Sequence, residues 1–138
     1  MGLIFDSTVV ITAERQGWTV YQLIERIAAM CGETNVALSA VGATELLHGI
    51  WRPKDPVLQA RRMEFVEKVL TVEPVEAFTL GMARIAGKID GEAKNRGITI
   101  PFADLLIGST ALELGYGVVT QNARHFQMIP GLIVIDFR

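Results

Sequence analysis

Cysteine is nearly absent from this sequence of 138 residues, where Cys31 stands alone. A lone cysteine excludes an internal disulfide and any zinc cluster built on thiolates, and its ordinary place is as a small buried hydrophobe. Every apolar stretch is shorter than the roughly 18 residues a membrane-spanning helix needs, so no membrane role is expected. The opening Met1-Gly-Leu-Ile-Phe-Asp6 carries no basic leader and meets an acid at once, which argues against a secretory signal. Asp6 also occupies the place where a myristoylation motif beginning at Gly2 wants Ser or Thr. A cytoplasmic protein is the expectation. Surplus positive charge is missing too: 13 Lys and Arg stand against 15 Asp and Glu, for a net charge of −2. Proteins that hold nucleic acid by charge alone are far more basic. This counts against a passive RNA or DNA binder, and less against an enzyme that gathers carboxylates around a cation. With no repeat, low-complexity tract or linker, residues 1–138 read as one domain around one core.

What is present is a globular pattern, half apolar and one fifth charged. Short apolar runs alternate with helical periodicity, the mark of an α/β sheet with helices packed on its faces. Strands are expected at residues 2–6, 36–39, 70–72, 118–120 and 132–136. Val20, Leu23, Ile24, Ile27 and Cys31 recur at helical spacing and stop at Gly32. A helix carrying Ala43, Leu46, Leu47 and Ile50 follows the second strand and ends at Pro53. Asp55 and Pro56 make a cap and first-turn pair for the next helix, with a stripe of Leu58, Arg62, Phe65, Val66 and Val69. Phe78, Met82, Ile85 and Ile89 mark a long helix that closes at Gly97. Pro101 opens another, with Leu105, Leu106 and Leu112 inward and Gly115 at its end, and a helical turn is expected over 123–126. The helices over 20–31 and 58–69 are richer in apolar residues than one modest core needs, and Trp18 and Trp51 lie near helix ends, where aromatics anchor interfaces; core or domain-edge positions are the alternative for both tryptophans. The basic stretches Arg52, Lys54, Arg61, Arg62, Lys68 and Lys88, Lys94, Arg96 read as solvated helix faces.

In open α/β sheets the site lies at the carboxyl ends of the strands. That rule selects Asp6, at the end of the first strand, and Asn122, just beyond the fourth. Glu45 and Asp104 lie on helices that follow a strand or a proline-marked turn. Asp104 falls in the first turn of its helix, where backbone N–H groups favour negative charge, and it is flanked by Phe102, Ala103, Leu105 and Leu106. An acid in such company is costly to desolvate without compensation, and Ile4 and Phe5 crowd Asp6 likewise. No basic residue lies near either in sequence, which points to a shared cation. Carboxylates with an amide oxygen are hard ligands, suited to Mg²⁺ or Mn²⁺ and poorly to zinc or copper. Such a metal can polarise a phosphoryl oxygen and acidify a bound water. Taken singly, each acid has a plainer explanation: a strand end or cap for Asp6, a solvated helical position for Glu45, a helix N-terminal charge for Asp104.

Four segments resemble the signature blocks of PIN-domain proteins. They are Leu3-Ile-Phe-Asp6-Ser7, Leu38-Ser-Ala-Val-Gly-Ala-Thr-Glu45-Leu-Leu-His-Gly49, Ile100-Pro-Phe-Ala-Asp104-Leu-Leu-Ile-Gly-Ser-Thr-Ala111 and Val119-Thr-Gln-Asn122-Ala-Arg-His-Phe126. The tail Ile129-Pro-Gly-Leu132 is similar to that of the VapC-type toxins of toxin–antitoxin pairs. The resemblance spans nearly the whole chain, in order and at suitable intervals. It implies a three-layer sandwich: a central, mostly parallel sheet of about five short strands with helices on both faces. It also implies a Mg²⁺- or Mn²⁺-dependent endoribonuclease, restrained by a small antitoxin and commonly dimeric. Asp6, Glu45 and Asp104 would gather one or two cations, while Ser7 and Thr120 would support them. The departure is at Asn122, where many PIN nucleases have a fourth acid. Its carbonyl can still ligate directly or through water, at one fewer negative charge. His125 and His48 are expected at the surface or behind the ligands.

Rival readings fit less well. A catalytically inactive PIN-like binding module would be expected to have lost acids, and three remain. A phosphoacceptor signalling domain wants an acidic pair after the first strand and a lysine after a late one, but Ser7 follows Asp6 and no lysine follows Val119. An Asp-x-Asp phosphatase fails because Thr8 takes the second acid's place.

Overall fold

The computed structural model describes residues 1–138. In chain order the elements are β1 (Leu3–Phe5), α1 (Ser7–Arg15), α2 (Val20–Cys31), β2 (Val36–Ser39), α3 (Ala40–Trp51), α4 (Pro56–Val72), β3 (Val75–Glu76), α5 (Leu80–Asn95), α6 (Phe102–Leu114), β4 (Gly117–Thr120), α7 (Ala123–Phe126) and β5 (Val134–Asp136). The strands form one sheet in the order β3-β2-β1-β4-β5, and every pairing is parallel.

Parallel strands need crossovers, so helices cover both faces and the strands are buried on both sides. Alternation along the strands sorts their side chains between two cores. Leu3, Phe5, Val36, Leu38 and Val119 join α1 to α4 in one core. Ile4, Ala37 and Val118 join α5 to α7 in the other. The chain builds outward from β1 through β2 to β3, then returns to lay β4 on the other side of β1. The order of strands therefore reverses between β1 and β4, which is where such sheets hold their ligands.

The expected local signals operate at several ends. Thr19 and Gln22 form a reciprocal cap on α2. Ser39 accepts from the N–H groups of Val41 and Gly42 to start α3, and Asp55 caps α4 with Pro56 in its first turn. Gly115 closes α6 with a φ of 70°, a left-handed conformation that glycine adopts without strain.

Three features depart from expectation. The strand expected over Leu70–Val72 is the last turn of α4. Leu70 and Val72 continue the stripe that packs on the first core, and burial outweighs the β propensity of a short branched run. The helix ends at Glu73 (φ −113°, ψ 146°), because the residue before Pro74 is driven out of helical geometry. The third strand is instead Val75–Glu76, paired with Leu38 and Ser39. Helix α1, which periodicity does not announce, fills the span after Asp6 and buries Val9, Val10 and Ala13. Cys31 is only half-buried, though burial still pushes its thiol pKa up. Trp18 packs on the first core with its edge toward Phe137, while Trp51 is 63% exposed.

Candidate active site

Asp6 leaves β1 in extended geometry and occupies the cap position of α1, yet its side chain does not cap that helix. Its carboxylate, only 2% exposed, is turned to hydroxyl groups instead. Thr120 Oγ1 donates to Asp6 Oδ2 at 2.7 Å and Thr8 Oγ1 donates to the same oxygen at 2.8 Å. Both hydroxyls are oriented from behind: the Gln121 N–H donates to Thr8 Oγ1 and the Asn122 N–H to Thr120 Oγ1. With its acceptor side occupied, each hydroxyl aims its proton at Asp6. The loop after β4 is thereby tied to the start of α1, and Thr12 Oγ1 reinforces the tie by donating to Gln121 Oε1 at 2.7 Å.

Ser7 links Asp6 to α3. Its hydroxyl lies 3.1 Å from Glu45 Oε1 and 3.4 Å from Asp6 Oδ1. One proton serves one good bond, and the shorter distance assigns it to Glu45. Burial raises the Glu45 pKa first, the charge of Asp6 raises it further, the Ser7 bond opposes this, and the charge of Asp104 adds a smaller rise. Asp104, 8% exposed, sits in the first turn of α6. Its pKa is also raised, chiefly by burial and further by Asp6, against the hydrogen bond and charge of His125. His125 Nδ1 lies 2.8 Å from Asp104 Oδ2.

Asp6, Glu45 and Asp104 therefore feel one another's charge at the switch point of the sheet. Glu45 Oε2 and Asp104 Oδ1 carry no hydrogen bond, and Asp6 Oδ1 has only the 3.4 Å contact. No buried side-chain oxygen lacks a partner, so the two unbonded oxygens reach solvent. The donor set is made of hard oxygens, mutually repelling and partly desolvated, which fits a small divalent cation. It is not a closed ligand shell: no three acid, histidine or cysteine side chains are already gathered around a point, and His125 holds one oxygen of Asp104.

Asn122 is exposed at the start of α7. Its backbone bonds Thr120, and its side chain makes no cap bond. His48 is exposed on α3 and lines a cavity together with Glu45. Sequence reasoning missed Thr8, whose only signal is its place two residues after the first acid, and Gln121, whose partners are remote in sequence.

The PIN domain family model matches residues 3–131. A curated protein called ribonuclease VapC from Rickettsia bellii is 31% identical over 140 aligned residues, covering 98% of this chain and 96% of its own. Among solved structures, VapBC2 from Rickettsia felis bound to a promoter DNA fragment superposes with a TM-score of 0.85 at 20% identity, over all of both chains. VapBC-5 from Mycobacterium tuberculosis, of the VapBC family of toxin–antitoxin systems, superposes with a TM-score of 0.77 at 20% identity, over 98% of each chain. At such identity the superpositions speak for the fold alone. The match over nearly the whole sequence assigns the family: this chain belongs to the PIN-domain proteins.

Proposed function

We propose that this protein is an endoribonuclease that hydrolyses RNA phosphodiester bonds with Mg²⁺ or Mn²⁺, as the cytoplasmic toxin of a toxin–antitoxin pair. The observation that carries this is the coupled trio Asp6, Glu45 and Asp104 at the β1–β4 switch point, in a chain of the PIN-domain family. Asp6, Glu45 and Asp104 would hold the cation, with Asn122 contributing an amide oxygen or a bridging water. When bound, the ion polarises a phosphoryl oxygen and lowers the pKa of a water.

The chain's own groups set the stage for that chemistry. Thr8 and Thr120 hold Asp6 Oδ2, which fixes the direction of Oδ1. Ser7 keeps Glu45 beside Asp6. His125 fixes Asp104 Oδ2 and leaves Oδ1 to face the opening. The trio's negative charge repels the reacting phosphate until a cation offsets it, so metal should precede that phosphate at the trio.

The partner reading rests on the VapBC relatives and on exposed apolar groups of this chain. Tyr21 and Met30 on α2 and Val57 on α4 are exposed, and a groove runs between those helices in which Val20, Tyr21 and Phe65 lie among Glu14, Arg61, Glu64, Glu67 and Lys68. A small antitoxin would cover this surface, and a second copy of the chain would complete a homodimer.

The test incubates purified protein, freed of any partner, with a pool of structured and unstructured RNAs in Mg²⁺ or Mn²⁺, with and without chelator. Cleavage is expected only with metal, and the Asp6→Ala protein is expected to be inert. Full cleavage in chelator would overturn the metal mechanism.

A further inference from the structure

A cavity of about 520 Å³ opens directly beside the acid trio, with Ser7 and Glu45 on its wall. Its other charged residues are three arginines: Arg15, Arg52 and Arg62. Ser7, Ile11 and Arg15 follow one face of α1 at i, i+4 and i+8. Glu45, His48, Gly49 and Arg52 follow one face of α3 at i, i+3, i+4 and i+7. At 1.5 Å rise per residue, each line carries its arginine about 10–12 Å along its helix from the acids. The cavity thus has an acidic end at the metal centre and a basic end a short way off.

No carboxylate claims these arginines. Arg61 pairs with Glu14 at 3.2 Å, and Lys94 pairs with Asp90 at 3.0 Å. Arg15 and Arg52 form no ion pair, and Arg62 donates only to the backbone oxygen of Gly49 at 3.1 Å. Gly49 lines the cavity, and a Cβ added there would meet nothing within 4 Å. Closing the helix dipoles would explain one arginine at the end of each helix. Arg62, from a third helix, also meets the last turn of α3, where Pro53 offers the Gly49 oxygen no N–H; what helix ends alone do not require is that all three arginines line one cavity with Glu45.

We propose that Arg15, Arg52 and Arg62 bind a phosphate of the RNA strand that flanks the bond being cut. The proposal rests on the nuclease reading above and deepens it. A strand whose reacting phosphate sits at the trio must lead its neighbouring phosphates away from three carboxylates. The arginine-lined cavity is a continuous exit of opposite sign. Guanidinium groups suit a phosphate because they can offer paired N–H donors to its oxygens. The cavity therefore orients the strand and offsets the repulsion of the acids.

The experiment measures binding separately from cutting. The probe is a short fluorescein-labelled single-stranded RNA of random sequence, followed by anisotropy in chelator from low to moderate salt. Arg15→Gln/Arg52→Gln should bind about tenfold more weakly at low salt. Its plot of log affinity against log salt should be shallower by about 0.7, the share of one phosphate on a single strand. Gly49→Leu, which fills the cavity without removing charge, should weaken binding as well, and Lys88→Gln on α5 should match the parent. Arg15→Lys/Arg52→Lys should restore most of the slope. Both arginines are exposed, and unchanged melting of each variant excludes loss of fold. Equal affinity and slope for parent and double Gln variant would overturn the proposal, as would a parent with no affinity at the lowest salt. The two readings fail separately. A parent that binds with the expected slope but cuts no RNA in Mn²⁺ sinks the nuclease and leaves the cavity. A parent that cuts RNA while the double variant equals it in affinity, slope and KM sinks the cavity and leaves the nuclease.

Discussion

Asp104→Asn should separate chemistry from folding: it is expected to abolish RNA cleavage while making the metal-free protein more stable. Burial and the neighbouring charge of Asp6 both raise the Asp104 pKa, against His125. Like charges within one such cluster, at an effective dielectric near 20, repel by on the order of 2 kcal/mol. The hydrogen bond with His125 contributes about 1 kcal/mol in the opposite sense, and Asn retains an oxygen that can accept it in part. The expected net gain is about 1 kcal/mol, or about 3 °C in Tm for a domain of this size. The pH dependence has a definite sign. A raised pKa means that the native state holds its proton to higher pH than the unfolded chain. The parent therefore loses stability as pH rises from the ordinary carboxylate value through the raised one. The advantage of Asn is full above that interval and vanishes below it. Mn²⁺ should invert the order, since an ion at about a hundred times its Kd adds about 2.7 kcal/mol to a protein that binds it, and the variant binds poorly. Thermal melts of both proteins in chelator and in Mn²⁺, over a pH series, give all of these readings. A variant that melts well below the parent in chelator would refute the account of repelling carboxylates.

Thr120→Val keeps the shape of a fully buried side chain but removes the proton given to Asp6 and the acceptor used by the Asn122 N–H. It should cost about 2 kcal/mol in urea unfolding and weaken Mn²⁺ binding, and an unchanged midpoint would contradict the clamp. Asn122→Asp should tighten Mn²⁺ binding and lower metal-free stability, because an ionised oxygen attracts the cation and repels the trio. Asn122→Ala should lose activity only in part, whereas Asp6→Ala should lose nearly all of it. Calorimetric titration at one ionic strength decides the Asn122 case, and equal or weaker binding by the Asp variant would place Asn122 outside the coordination sphere.

The strands β1, β2 and β4 were legible because buried parallel strands read as unbroken apolar runs, and Leu3-Ile-Phe5 and Val36-Ala-Leu-Ser39 are such runs. Two elements resisted. Helix α1 carries Thr8-Val-Val-Ile-Thr12, branched residues that favour a strand by propensity, and only its burial between the sheet, α2 and α3 makes it helical. Strand β3 is two residues long and owes its pairing to the halt that Pro74 imposes on α4, so local pattern places the strand before the proline rather than after it. Caps and proline-marked ends were legible for a different reason: their signals lie within a few residues of the structure they produce.

The same division governs the site. Asp6, Asn122, Glu45 and Asp104 could be picked out because a strand end or helix start is a local feature, and an acid among apolar neighbours stands out. What holds them is not local. Ser7 meets Glu45 across 38 positions and Thr120 meets Asp6 across 114; such pairings exist only once the sheet has assembled. Charge shows the difference most sharply. In sequence, Arg52, Arg61, Arg62 and Lys68 form one basic stretch that reads as a solvated face. In the fold, Arg61 is bound to Glu14, Lys68 lies over the Tyr21 ring, and Arg52 and Arg62 join Arg15 beside the acids. A net charge of −2 argues against a passive binder of nucleic acid, yet it does not measure the field that a phosphodiester would meet. That field depends on which cations are already paired. Here a carboxylate neutralises Arg61 and leaves Arg15 and Arg52 without an ionic partner, so an acidic chain can still present positive charge where a polyanion would need it.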